Sequence, residues 1–140
     1  DSYGYCADIS RTFVCGNDFN NTQKELYSMS LEQINHNSNL IKADMSFEEF
    51  TEKSWKLPEE YYGNRYSVMV HGIGLCDEWP SIRYPTDGGD KSGRFLKNMT
   101  ITVESYIGKV GGKEGVKLEQ QYLVGENGLE LMSHHPLEDI

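Results

Sequence analysis

The spacing of hydrophobic and polar residues changes along the chain, from a helical pattern in the first part to a β pattern in the second. Apolar residues recur at helical spacing after Thr22-Gln23-Lys24-Glu25, which has the form of a capping box. We therefore predict a helix from this box to the Asn-rich residues 35–39. A second capping box, Ser46-Phe47-Glu48-Glu49, predicts a shorter helix that stops before Pro58.

The second half of the chain alternates with a period of two, which is typical of β-strands. This alternation predicts strands at 66–70, 99–107, 116–124 and 129–132. Gly125-Glu126-Asn127-Gly128 predicts a hairpin turn between the last two of them. Residues 3–14, rich in aromatic and β-branched side chains, predict a strand pair or a bent strand. The order of these elements predicts an α+β fold, a curved antiparallel sheet with helices packed on one face.

Composition and charge narrow the range of partners. The chain has 140 residues, 37% hydrophobic and 25% charged, which is typical of one modest domain with a core. The net charge is −9 and the basic residues are scattered, so neither nucleic acid nor an anionic membrane is an expected partner. No apolar run approaches the roughly 20 residues that span a bilayer. The acidic surface suits a small cationic or zwitterionic substrate.

The cysteines indicate the redox environment. Cys6, Cys15 and Cys76 are odd in number and lack Cys-x-x-Cys spacing, so neither a disulfide framework nor a thiolate zinc site is expected. A reducing compartment is the simplest interpretation, and a cytoplasmic location is expected.

Four side chains of types that bind metals lie on separate β-like segments: Asp8, His71, Glu104 and Glu119. A carboxylate inside a strand is costly to bury unless a partner or a metal compensates its charge. One interpretation is that each glutamate lies on the solvent face of a half-exposed sheet. The presence of all four in one small domain instead favours an oxygen-rich site for a pair of divalent metal ions.

The segments around these residues carry a resemblance to a known family. In chain order they are Tyr5-Cys6-Ala7-Asp8-Ile9-Ser10-Arg11-Thr12-Phe13, His71-Gly72-Ile73-Gly74-Leu75, Val103-Glu104-Ser105-Tyr106-Ile107-Gly108 and Lys117-Leu118-Glu119-Gln120-Gln121-Tyr122-Leu123-Val124. They resemble the ligand motifs of the creatinase, methionine aminopeptidase and aminopeptidase P family, the pita-bread metalloenzymes. The resemblance spans nearly the whole chain.

This resemblance implies a pita-bread fold with a dinuclear metal centre. Asp8, His71, Glu104 and Glu119 match ligand positions, with Asp8 and Glu119 expected to bridge the two ions. Iron is expected from the resemblance, while the ligand types leave manganese, cobalt and zinc open. The family has a further aspartate ligand upstream of the Asp8 position. Residues 1–140 are therefore expected to be the C-terminal part of the catalytic domain, inactive alone and homodimeric when full length.

The segment that follows His71 bears on the reaction. Peptidases of the family usually carry a second histidine where this chain has Glu78. The run His71–Pro80 is instead similar to the dimethylsulfoniopropionate (DMSP) lyase branch, which cleaves DMSP to dimethyl sulfide and acrylate. The resemblance implies that Asp77 is the catalytic base and that Tyr66 belongs to the substrate pocket. Trp79 is a second aromatic face suited to a sulfonium cation.

The expected function is therefore metal-dependent cleavage of DMSP by β-elimination. A peptidase resembling aminopeptidase P, acting on Xaa-Pro peptides, is the alternative, and it depends on Glu78 replacing the missing histidine. A metal-free pseudoenzyme that binds partners is a third reading, which the four ligand residues disfavour. By residue type alone, core packing of Tyr66 and Trp79 and turn capping by Asp77 also stay open.

Overall fold

The computed structural model describes residues 2–16, 18–75 and 78–137. Its elements, in chain order, are α1 Asn21–Leu40, α2 Phe47–Lys53, α3 Glu59–Tyr62, β1 Val68–Gly72, β2 Ser81–Arg83, β3 Thr100–Gly108, β4 Gly115–Val124 and β5 Leu129–Leu131. The strands form one antiparallel sheet in the order β2-β1-β3-β4-β5, which confirms the predicted α+β class. Among the described residues, no helix has the length and apolar character needed to cross a membrane.

Helix α1 differs from its prediction at both ends. Its capping box is formed by Asn20 and Gln23, whose side chains each accept the other's backbone N–H, so the box predicted at Thr22 is wrong. The helix also continues through the predicted stop, because Asn37 is buried there and its side chain accepts the N–H of Trp55. The second predicted box is confirmed in part: the Ser46 side chain caps the helix by accepting the N–H of Glu49, while the Glu49 side chain pairs with Lys53.

The two faces of the central hairpin, formed by β3 and β4, have different surroundings. Helix α1 covers the face that carries Ser105, whose hydroxyl hydrogen-bonds to the buried Ser30 and Gln33 side chains of α1. The apolar core lies on this side. The opposite face, which carries Glu104 and Glu119, is buried as well, with relative exposures of 2% and 1%. The solvent-face interpretation of these two glutamates is therefore excluded.

The N-terminal segment contributes to the cover of that second face. The predicted strand pair or bent strand over 3–14 is wrong, because Tyr3 and Gly4 form a turn and the rest of the segment has only an isolated bridge to the sheet, between Ser10 and Glu119. Farther along, the Thr12 hydroxyl accepts the Lys117 N–H and donates to the Lys117 carbonyl, which replaces a regular ladder. The segment thus lies along β4 beside residues 117–121, while β5 pairs with residues 122–124.

Candidate metal centre

Two glutamates face each other across the central hairpin. Glu104 of β3 and Glu119 of β4 are direct partners in the antiparallel register, so both side chains project from the same face of the sheet. Directly opposed like charges destabilise a strand pair, and the cost is larger when both are removed from water. This arrangement therefore requires positive charge on the same face.

His71 supplies a nitrogen ligand to this face. Its partner in β3 is Thr102, two residues before Glu104, so the imidazole lies beside the glutamate pair. Nε2 is 3.2 Å from Glu104 Oε1 and 3.4 Å from Glu119 Oε1. Nδ1 is 2.9 Å from the carbonyl oxygen of Gly72 and must donate to it, because a carbonyl only accepts. This hydrogen bond leaves Nε2 as the atom that would bind a metal ion.

Asp8 completes the cluster from the N-terminal segment. Its Oδ2 is 4.0 Å from His71 Nε2, and its backbone N–H donates to the Gln121 side chain. One ligand atom from each of Asp8, His71 and Glu119 lies within 4.8 Å of the other two. The structure thus brings all four predicted ligand side chains together, three of them in a group compact enough for one metal ion.

The electrostatics of the cluster fit a divalent cation. Burial by itself would lower the pKa of His71, but the carboxylates of Glu104 and Glu119 raise it to about 10. Burial and repulsion by Glu119 raise the pKa of Asp8. Oxygen Oε1 of Glu104 and oxygen Oε1 of Glu119 are both buried and have no hydrogen-bond partner among the described residues, although His71 Nε2 lies close to each. A divalent ion would satisfy these oxygens and the carboxylate charges together.

Two residues of the cluster were not predicted. The Lys117 ammonium contacts Glu104 Oε2 and lies 3.7 Å from Glu119 Oε2, while the Ser10 hydroxyl donates to Glu119 Oε2 over 2.9 Å. Burial raises the pKa of Glu119, but His71, Lys117 and Ser10 lower it overall. Each missed residue is two positions from a predicted ligand, so the period of two along an extended chain could have identified both.

The predicted substrate residues have different positions. The Tyr66 ring centroid is 4.4 Å from the Lys117 ammonium, which places this ring beside the cluster. Trp79 is 66% exposed and lines an open groove together with Leu75 and Leu96, and Tyr66 is not part of that groove. The predicted base, Asp77, lies outside the described residues. The roles of these three residues in substrate binding and catalysis stay predictions.

The glycine that follows His71 is required by its surroundings. A Cβ atom on Gly72 would lie 1.9 Å from the backbone oxygen of Trp79, because the returning chain passes directly over this residue. The Gly72 N–H donates to the Pro80 carbonyl, and its own carbonyl accepts the Glu78 N–H. Gly74 has a φ of 143° and accepts the N–H of Cys6, which ties the segment that carries Asp8 to the segment that carries His71.

We expect Gly72→Ala to lower the free energy of unfolding by about 3 kcal/mol, because the added methyl group collides with backbone and not with a flexible side chain. Urea unfolding followed by circular dichroism measures this change. Gly128→Ala is the matched control, since a Cβ there meets nothing within 4 Å, and its effect should stay within about 0.5 kcal/mol. Equal losses in the two variants would contradict the steric argument.

Known proteins are similar to this chain in sequence. The model of metallopeptidase family M24 matches residues 2–126. The dimethylsulfoniopropionate lyase DddP of Roseovarius nubinhibens is 36% identical over 98% of this chain and 31% of its own length. The lyase of the same name from Roseobacter denitrificans is 33% identical over the same shares. The chain thus spans about a third of the length of these curated relatives.

Solved structures agree on the fold. An Xaa-Pro dipeptidase from Bacillus anthracis superposes with a TM-score of 0.75 at 32% identity, covering 98% of this chain and 38% of that one. This likeness confirms the expected pita-bread fold. Because the family model matches residues 2–126, the chain belongs to metallopeptidase family M24, and its group of Asp8, His71 and Glu119 could hold a metal ion.

Proposed function

We propose that the protein is a metal-dependent DMSP lyase that forms dimethyl sulfide and acrylate by β-elimination. The observation that carries the metal chemistry is the buried, directly opposed pair Glu104 and Glu119 with His71 between them. The similarity to two dimethylsulfoniopropionate lyases over 98% of this chain supports the choice of reaction.

Asp8, His71, Glu104 and Glu119 would hold two divalent ions. Carboxylate oxygens with one imidazole suit iron, manganese, cobalt and zinc, and we propose iron. The bound ions would act as Lewis acids toward the carboxylate of the substrate and the negative charge that develops beside it.

The protein side chains would carry the proton and position the substrate. Asp77 takes the proton from the carbon next to the substrate carboxylate. The electron pair of that C–H bond forms the double bond of acrylate, and the bond from the next carbon to sulfur breaks. The sulfur keeps the bonding pair and leaves as neutral dimethyl sulfide, so no oxidant or reductant is needed.

The aromatic residues suit the sulfonium group of the substrate. In the structure, the face of the Tyr66 ring already receives a cation, the ammonium of Lys117. A sulfonium, which is weakly hydrated and favours aromatic contact, would take the place of this ammonium on the ring. Trp79 is 66% exposed and lines a groove that does not include Tyr66, so it would contact the substrate on its approach from solvent.

A peptidase is the second candidate, favoured by the likeness to the Xaa-Pro dipeptidase. Hydrolysis of a peptide requires a donor that stabilises the oxyanion of the scissile carbonyl. Glu78 stands seven positions after His71, where peptidases of the family usually carry a histidine, and an ionised carboxylate cannot donate. The backbone N–H of Glu78 is used by the Gly72 carbonyl. The elimination reaction has no need of such a donor.

The experiment that separates the two reactions incubates the full-length protein with DMSP and, separately, with Xaa-Pro dipeptides. We expect dimethyl sulfide and acrylate in equal amounts, measured by gas and liquid chromatography, and no released proline. Chelation should abolish the reaction, and added iron should restore it. Cleavage of the dipeptides without dimethyl sulfide from DMSP would assign the protein to the peptidases.

A further inference from the structure

We propose that the Lys117 ammonium is a built-in counter-cation of Glu104 that a metal ion must displace. The two metal positions would then fill in a fixed order and with unequal affinity. This inference rests on the two-metal centre of the proposed function and adds a determinant of its affinity.

The contacts of Lys117 are with the buried carboxylates. Its ammonium contacts Glu104 Oε2, and the side chain of Glu104 is 1% exposed, so this charge pair is largely removed from water on the glutamate side. The same ammonium is 3.7 Å from Glu119 Oε2 and lies over the Tyr66 ring. The Lys117 side chain remains 34% exposed, which gives it a route away from Glu104 toward solvent. A charge-assisted contact of this kind is strong, but the partly exposed ammonium can leave Glu104 when another cation replaces it.

The remaining ligands make no direct contact with the Lys117 ammonium, whose distance to Glu119 Oε2 is 3.7 Å. The ligand atoms of Asp8, His71 and Glu119 lie within 4.8 Å of one another, and Glu104 is not part of this group. Lys117 is 3.7 Å from Glu119 Oε2 but does not reach Oε1, which faces His71, so this metal position is less obstructed than the one that uses Glu104, where the ammonium is in direct contact. A metal ion at Glu104 Oε1, beside His71, and the ammonium on Oε2 would share one carboxylate and repel each other. The first ion therefore enters at Asp8, His71 and Glu119, and the second enters only when Lys117 leaves Glu104.

The direction in which the affinity for the second metal ion changes, when the charge of Lys117 is removed, distinguishes this role from a purely structural one. Replacing Lys117 by Met retains an unbranched side chain of similar length but removes the charge. The second ion then meets no competitor and a more negative site, so its affinity rises. If Lys117 only held Glu104 in position for the metal, the same substitution would lower the affinity.

The test titrates the full-length protein, stripped of metal by chelation, with Mn²⁺ in a calorimeter. We expect two binding steps in the wild type and a second step tighter by roughly tenfold or more in Lys117→Met, since hydrogen bonds to charged groups contribute at this level. Lys117→Arg, which retains the charge, should behave like the wild type. Lys109→Met is the control, because Lys109 pairs with Glu60 and both side chains are at least half exposed. An unchanged or weaker second step in Lys117→Met overturns the inference.

A measurement on the wild type alone avoids any folding defect of the variants. Acetylation of Lys117, read by mass spectrometry relative to Lys109, should rise several-fold when the second equivalent of Mn²⁺ is added and not with the first. Equal reactivity at both stages overturns the inference. Dimethyl sulfide release is assayed on the same preparations with iron. If Lys117 behaves as expected but no dimethyl sulfide is released, the lyase proposal is wrong and the role of Lys117 still holds.

Discussion

Replacing Glu119 by Gln is expected to remove metal binding at the centre and to lower the rate of dimethyl sulfide formation by roughly a hundredfold or more. Glutamine has nearly the same shape, so packing against the buried surroundings is retained while the anionic ligand is lost. Loss of a residue that merely orients a ligand already costs roughly 10–100-fold in affinity or activity, and loss of a ligand should cost at least as much. Elemental analysis after dialysis and a steady-state assay measure the two effects.

Glu130→Gln is the matched control for this experiment. Glu130 lies on the neighbouring strand β5, but its side chain is exposed and takes no part in the cluster. Its metal content and rate should equal those of the wild type. If Glu119→Gln retained two ions per protein after dialysis, the assignment of Glu119 as a shared ligand would be wrong.

Asp77→Asn is expected to lower kcat for DMSP by about 10²–10⁴-fold, because an amide cannot accept the proton in an elimination that requires a general base. The metal content should stay unchanged, since Asp77 is not among the proposed ligands. A lower kcat with an unchanged metal content distinguishes a catalytic base from a metal ligand. Steady-state rates and elemental analysis on the same preparation provide the measurement.

Glu78→Gln is the control variant for Asp77→Asn. Glu78 is exposed and next in sequence to Asp77, so it tests whether a carboxylate at either of these two positions suffices. Its kcat should stay within a few-fold of the wild type. A large loss in Glu78→Gln together with a small one in Asp77→Asn would transfer the role of base to Glu78.

Much of the second half of the fold was predictable because alternation is a local signal. The period of two and the Gly-rich turn predicted the locations of β1, β3, β4 and β5. The same alternation placed Glu104 and Glu119 in strand interiors. The short elements β2 and α3 were missed, since three or four residues do not establish a periodicity. The stop of α1 was wrong because burial of Asn37 and its bond to Trp55 lie outside any local rule.

The sequence by itself determined which residue types are available for the centre and which of them share a strand face. Only the tertiary structure decided that this face is buried. Alternation says that Glu104 projects opposite to Ser105, but it does not say what covers either side. The cover and the contacts come from residues distant in the chain, such as Ser10, which is 109 positions from its partner Glu119. Burial turns a common pair of strand glutamates into a charge cluster, because a carboxylate removed from water requires a cation beside it.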